Sequence, residues 1–132
     1  MVSAVANRPP TQAELDLARF MLESGGAEAR GFLTQLETVE VTPWRCLCGC
    51  ASIKFQVRGQ QPAPPGVHIL GDFVFGSQEV LTGAFIFESG GLLSGIEVYG
   101  LASDAPSYLP NPSALRPLGS VAPSPAALPD QP

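Results

Sequence analysis

The sequence predicts an α+β fold, with two N-terminal helices packed on one face of a five-stranded, mostly antiparallel meander sheet. Three observations carry this. A helical apolar stripe begins behind a capping signal near residue 11. The apolar period switches from 3.6 to two at Val39. From there, alternating runs are separated by glycine- and proline-rich turns.

The first helix follows Pro9-Pro10 and opens with Thr11-Gln12-Ala13-Glu14. In this capping box Thr11 and Glu14 satisfy each other's free backbone amides. Leu15, Ala18 and Leu22 share a face that Leu17 and Met21 widen, and Ser24-Gly25-Gly26 ends the helix through a left-handed glycine. A second helix is expected over about 27–36, offering Ala29, Phe32, Leu33 and Leu36 to a core, with Gly31 as its weak point.

Val39 and Val41 start a strand running towards Trp44 and Cys46, which Pro43 confines to an edge or a bulge. Residues 52–58 alternate, with Ile53, Phe55 and Val57 inward and Ser52, Lys54, Gln56 and Arg58 in water. After a loop at 59–66, a third strand over 67–75 puts Val67, Ile69, Gly71, Phe73 and Phe75 on one face. A fourth covers about 79–88, and Ser89-Gly90-Gly91 turns the chain into a fifth over 92–101. Phe73, Phe75, Phe85 and Phe87 recur at strand period and read as plain core.

Eight of the 14 prolines fall between Pro106 and Pro132. The expected organisation is a flexible N-terminus at 1–10, a single α+β domain at 11–111 and a proline-rich flexible tail at 112–132. The net charge is −5, and the seven lysines and arginines are scattered. Binding a phosphate backbone needs several cations on one face, so nucleic acid is not an expected partner. No apolar run approaches the length of a membrane span, and no membrane partner is expected. An odd number of cysteines packed together argues against a secreted disulfide framework, and the cytoplasm is the expected compartment.

All three cysteines sit in Trp44-Arg45-Cys46-Leu47-Cys48-Gly49-Cys50. On an extended strand, thiols at every second residue project to one side; alternatively, Gly49 turns the chain and brings two sulfurs together. Structural zinc usually takes four ligands from pairs spaced C-x₂₋₄-C, and no second pair exists here. Cys46, Cys48, Cys50 and His68, the only histidine, form the candidate metal set. A thioredoxin-type motif is excluded, because the run precedes a strand and lacks the C-x-x-C spacing at a helix start. The competing reading is a structural turn in which small thiols fill space beside Trp44. No cofactor is expected on that reading; zinc is the cofactor of the metal reading.

His68 and Asp72, four residues apart on one strand, fall on a common face that would be needed for Cys–His or carboxylate chemistry. Glu97 and Tyr99 share the face of the last strand opposite Ile96 and Val98. Asp72, Glu97 and Tyr99 are candidate partner-binding residues, since an acidic face steers a basic protein without special geometry. No complete catalytic set is present. Neither GxGxxG nor GxxxxGK[ST] occurs, so nucleotide binding lacks its motif.

The pattern CxCGC-x-SI at 46–53 and the strand Gly91-Leu92-Leu93-x-Gly95-x-Glu97-Val98-Tyr99-Gly100 resemble a group of small, uncharacterised bacterial proteins. The resemblance spans about residues 11–118 and implies a bacterial origin without an activity. The strand ending and the following Leu109-to-Pro112 loop are also similar to the last strands of bacterial toxin-immunity proteins, which are small acidic α+β proteins that bind one toxin. The acidic balance, the small size and the lack of a complete catalytic set make non-enzymatic protein binding, of an immunity or inhibitor type, the expected function. The alternative is a metal- or thiol-dependent protein centred on the three cysteines.

Overall fold

Thr11 caps the first helix as its spacing to Glu14 requires. The computed structural model describes residues 6–102 and 104–118. In it α1 (Gln12–Ser24) starts with the Glu14 amide donating to the Thr11 hydroxyl at 3.1 Å and the Thr11 amide donating to the Glu14 carboxylate at 2.8 Å. Arg8 closes this corner with two bonds to the same carboxylate, at 2.9 and 2.8 Å. Leu17, Ala18, Met21 and Leu22 form the buried seam of α1. Gly25 itself is right-handed, and the residue with positive φ, at 109°, is Gly26.

The expected second helix divides. One α-turn, α2 (Ala27–Arg30), stops at Gly31, and a 3₁₀ segment takes over at Leu33–Glu37. Ala29 and Leu36 reach the core from the two pieces. Glycine in the interior of a short helix costs about 1 kcal/mol against alanine, enough to decide between two backbone paths that bury the same residues.

Among the described residues six strands follow instead of five: β1 (Val39–Val41), β2 (Ile53–Val57), β3 (His68–Phe75), β4 (Thr82–Ser89), β5 (Leu92–Gly100) and β6 (Arg116–Pro117). Their order across the sheet is β1-β2-β5-β4-β3-β6, with antiparallel neighbours throughout. Only β3, β4 and β5 form a meander. β2 pairs with β1 on one side and β5 on the other, so the proline-rich loop after it crosses the sheet to reach β3. This arrangement gives the backbone amides and carbonyls of β2 partners on both sides, as a half-buried strand requires.

The sheet edges also revise the expected domain limits. Arg8 exchanges two backbone bonds with Val41, at 2.9 and 2.8 Å, within the segment expected to be a flexible N-terminus. Inside the expected tail, Pro112–Ala114 form a 3₁₀ turn, Leu115 is buried, and Arg116–Pro117 pair with Val74 and Phe73. A two-residue edge strand ending in proline carries no periodicity, which is why it could not be read from sequence. The remainder of the expected tail, 119–132, lies outside the described residues.

Two irregularities sort side chains between the faces. An extra residue, Leu70, lies between Ile69↔Phe87 and Gly71↔Ile86, and an extra Ser94 lies between Gly95↔Phe87 and Leu93↔Glu88. Each bulge reverses the alternation beyond it. Val67 and Ile69, expected in line with Phe73, are therefore exposed at 59% and 43%, while Leu70 is buried. The helix side of the sheet holds Phe73, Phe75, Ala84, Ile86, Ile96 and Val98. Phe85 and Phe87 lie on the other side with Tyr99, so the four phenylalanines do not form one core. Among the described residues, no helix is long and apolar enough to cross a membrane.

Burial alone would raise the Glu14 pKa, but the Arg8 guanidinium and the Thr11 amide outweigh it and hold the carboxyl below its ordinary range. Because the folded state binds this proton less well than the unfolded chain, the gain is present above the ordinary carboxylate pKa and is lost as pH falls through the depressed value. Replacing Glu14 by Gln is expected to cost about 1 kcal/mol at pH 7, since Arg8 is half exposed. The difference from wild type should shrink towards zero in strong acid, measured by urea unfolding across pH.

Candidate metal centre

The cysteine turn occupies the connection between β1 and β2. Pairing of β1 continues one step past Val41, with the Thr42 amide donating to Lys54 O at 2.9 Å. Pro43 then has no amide to offer and the chain leaves the sheet. Trp44 stays near the surface with Lys54 Nζ 4.6 Å from its ring centre, a cation–π contact that ties the loop to β2.

Of the two geometries considered for the cysteines, the turn is the one formed. Gly49 donates its amide to Cys46 O at 3.1 Å and takes φ = 84°, a conformation strongly disfavoured for residues with a Cβ. The turn points Leu47 wholly into solvent and folds Cys46 and Cys48 against each other, with their Sγ atoms 2.6 Å apart as free thiols. The Cys50 amide donates to Cys48 Sγ at 3.3 Å. All three sulfurs lie within 4.8 Å of one another.

Ser52 anchors the turn from below. It was expected in water but is buried, because its hydroxyl replaces a backbone rung between β2 and β5: it accepts from the Val98 amide at 3.0 Å and donates to Val98 O at 3.4 Å. Cys50 Sγ lies 3.2 Å from the same hydroxyl. The Ala51 amide donates to Pro106 O at 3.0 Å, fixing the other side of the turn to the segment after β5.

The three thiols differ in acidity. Burial raises the Cys50 pKa, but the Ser52 hydroxyl and amide, then the neighbouring thiols, more than offset it and lower the value to about 7. The hydroxyl has one proton, and turning it from Val98 O to a Cys50 thiolate stabilises the anion. Cys48 is pushed up to about 11, first by its bond with Cys46 and then by that with Cys50, against the pull of the Cys50 amide. Of these two, Cys50 is thus the thiol that ionises first and Cys48 the one that keeps its proton.

His68 is not part of this group. Its Nδ1 pairs with Glu88 at 2.8 Å and its Nε2 with Glu28 of α2 at 3.3 Å. The Leu70 bulge turns His68 towards the helix side, while Asp72, beyond the bulge, faces the opposite way, so the expected common face of His68 and Asp72 does not exist. Of the expected metal set, the structure brings together Cys46, Cys48 and Cys50 only.

Asp72, Glu97 and Tyr99 do share the face away from the helices, with Asp72 and Glu97 flanking Phe85 in register. The Tyr99 hydroxyl donates to Asp72 at 2.9 Å, and burial followed by this carboxylate pushes its pKa up to about 12. The Tyr99 ring lies across Gly83, where a Cβ would overlap it. Glu97 is exposed.

A cavity of about 450 Å³ lies against the cysteine turn, lined by Arg8, Val41, Trp44, Arg45, Cys46, Cys50 and Ile53 among others. No carboxylate lines it. Arg8 is engaged by Glu14, whereas Arg45 is exposed and makes no hydrogen bond or ion pair among the described residues. Arg45 is adjacent to the thiols in the sequence, whereas Arg8 counts there only as scattered charge, because nothing local indicates that β1 brings it beside the turn.

Alkylation with iodoacetamide at pH 7 should label Cys50 before Cys48, read by peptide mass spectrometry. Its rate should rise with pH to half its maximum near pH 7, and Ser52→Ala should shift that midpoint upward. Compared with protein-family models, curated proteins and solved structures, the chain matches none, so the chemistry of the site stands on its own geometry.

Proposed function

We propose that this protein binds a thiophilic metal ion through Cys46, Cys48 and Cys50. The observation that carries the reading is the convergence of three sulfurs within 4.8 Å on a turn closed by Gly49. Soft thiolates select ions such as zinc and copper(I). An ion with M–S bonds of about 2.3 Å holds its sulfurs about 3.8 Å apart in a tetrahedron. Binding therefore asks Cys46 and Cys48 to separate by roughly 1 Å and the widest pair to close by a similar amount. A solvent-exposed turn can make that change, while Cys50 stays fixed by Ser52. Zinc is the cofactor proposed, and the reducing interior of a bacterial cell is the proposed setting, where thiols persist.

Thiol protons leave when the metal enters, so affinity should fall as pH is lowered. Protein purified without a polyhistidine tag should carry or take up one zinc per chain by elemental analysis. Serine in place of any one cysteine should weaken binding beyond the roughly 10- to 100-fold typical of losing an outer-shell partner. His68→Ala should leave it unchanged. Metal far below one per chain after incubation with zinc rejects the reading.

A second reading, a protein-binding module of the immunity or inhibitor type, is supported by the placement of Asp72, Glu97 and Tyr99 on one face beside Phe85. A basic protein is the partner such a face would attract, with association steered by charge and weakened by salt. If so, Glu97→Lys should reduce capture of that partner from the native host at low salt while leaving the thermal midpoint unchanged. Equal capture by both proteins counts against it.

A further inference from the structure

The metal site has three protein donors and one side that opens on a cavity. The Ser52 hydroxyl is held beneath Cys50 by both backbone groups of Val98. His68 is engaged by Glu28 and Glu88. Among the described residues, no further histidine, cysteine or carboxylate joins the group. Zinc with three protein ligands keeps a fourth position for water or an exogenous ligand, the arrangement of sites that exchange ligands, whereas closed structural sites supply all four.

The cavity on which Cys46 and Cys50 open has a definite chemical character. Val41, Ile53 and Trp44 give it apolar walls, and Arg45 gives it a cation that no carboxylate among the described residues pairs. Its volume of about 450 Å³ lies within the range that accommodates small organic ligands. Three thiolates and one zinc leave a net charge of −1, which Arg45 at the same cavity offsets, Arg8 being already paired with Glu14.

We infer that the fourth metal position is filled by a small organic thiol carrying a carboxylate, seated in this cavity with its sulfur on the metal and its carboxylate on Arg45. The inference rests on the metal-binding reading. On binding, the incoming thiol gives its proton to solvent and its thiolate replaces a water at the metal; no electrons are transferred. The apolar walls cover the carbon chain between the two polar ends. Arg45 selects the anionic ligand, since a planar guanidinium matches a carboxylate in a bidentate bond.

Cobalt(II) reports on such a site, because its visible spectrum changes with the donor atoms around it. The full-length protein is loaded with one cobalt per chain and titrated with mercaptosuccinate, 2-mercaptoethanol and succinate in turn. Retained metal is measured after desalting. Mercaptosuccinate is expected to change the spectrum with a midpoint about tenfold below that of 2-mercaptoethanol, equivalent to about 1.4 kcal/mol. Succinate should leave the spectrum unchanged over the same range. Arg45→Ala should bring the two thiol midpoints together while the cobalt stoichiometry stays at one. Equal midpoints in the wild-type protein, no spectral response to either thiol, or loss of the metal to the added thiol would each overturn the inference. Failure to take up cobalt or zinc at all would instead reject the metal-binding reading itself, and this inference with it.

Discussion

The Ser52 hydroxyl joins the sheet to the cysteine turn, and the geometry of the site follows from that bond. By accepting from the Val98 amide and donating to Val98 O, it extends the β2–β5 pairing beyond the last backbone rung at Ile53↔Ile96. A buried backbone amide and carbonyl at Val98 would otherwise lack partners, at a cost of about 1–3 kcal/mol each. The same oxygen lies against Cys50. One cysteine is thereby held to the rigid core, while Cys46 and Cys48 project on a turn that solvent surrounds. One fixed and two movable thiols would suit the metal ion proposed above, which has to enter after folding.

The second constraint is the pair of bulges at Leu70 and Ser94. Both fall at the end of the sheet where β3, β4 and β5 meet α2 and the proline-rich loop. Beyond them the side chains exchange faces, which buries Leu70 and Leu93 and sends His68 to Glu28. On the regular side of the bulges, Asp72, Phe85, Glu97 and Tyr99 remain together on the face away from the helices. Gly83 allows the Tyr99 ring to lie flat across β4, shielding the backbone there. The sheet thus has two working sides, an apolar one under α1 and a mixed aromatic and acidic one opposite.

Much of the fold was legible in the chain. The capping box of α1, the period change at Val39, the hairpin at Ser89-Gly90-Gly91 and the edge-limiting role of Pro43 are local signals with local causes, and each corresponds to a feature of the structure. What was not legible depends on single residues whose effect is set at a distance. Leu70 and Ser94 look like ordinary strand residues, yet each shifts the register of all that follows it. β6 has two residues and no period. Ser52 sits at a water-facing position of an alternating strand and is buried because a particular carbonyl and amide of β5 arrive beside it.

The candidate site divides in the same way. Sequence by itself determined that all the thiols lie within five residues and that a glycine among them could turn the chain, since both are properties of neighbouring residues. It also left His68 as the sole histidine available. Only the tertiary structure decided that the three sulfurs converge, that His68 is held elsewhere by two carboxylates, and that Arg45 and Arg8 stand at the cavity against the turn. The sulfurs converge because the turn closes at Gly49; the other placements are distances between segments separated by up to a third of the chain, set by strand order and by the bulges. Local periodicity carries no information about either, because an alternating strand buries the same residues whichever neighbour it pairs with.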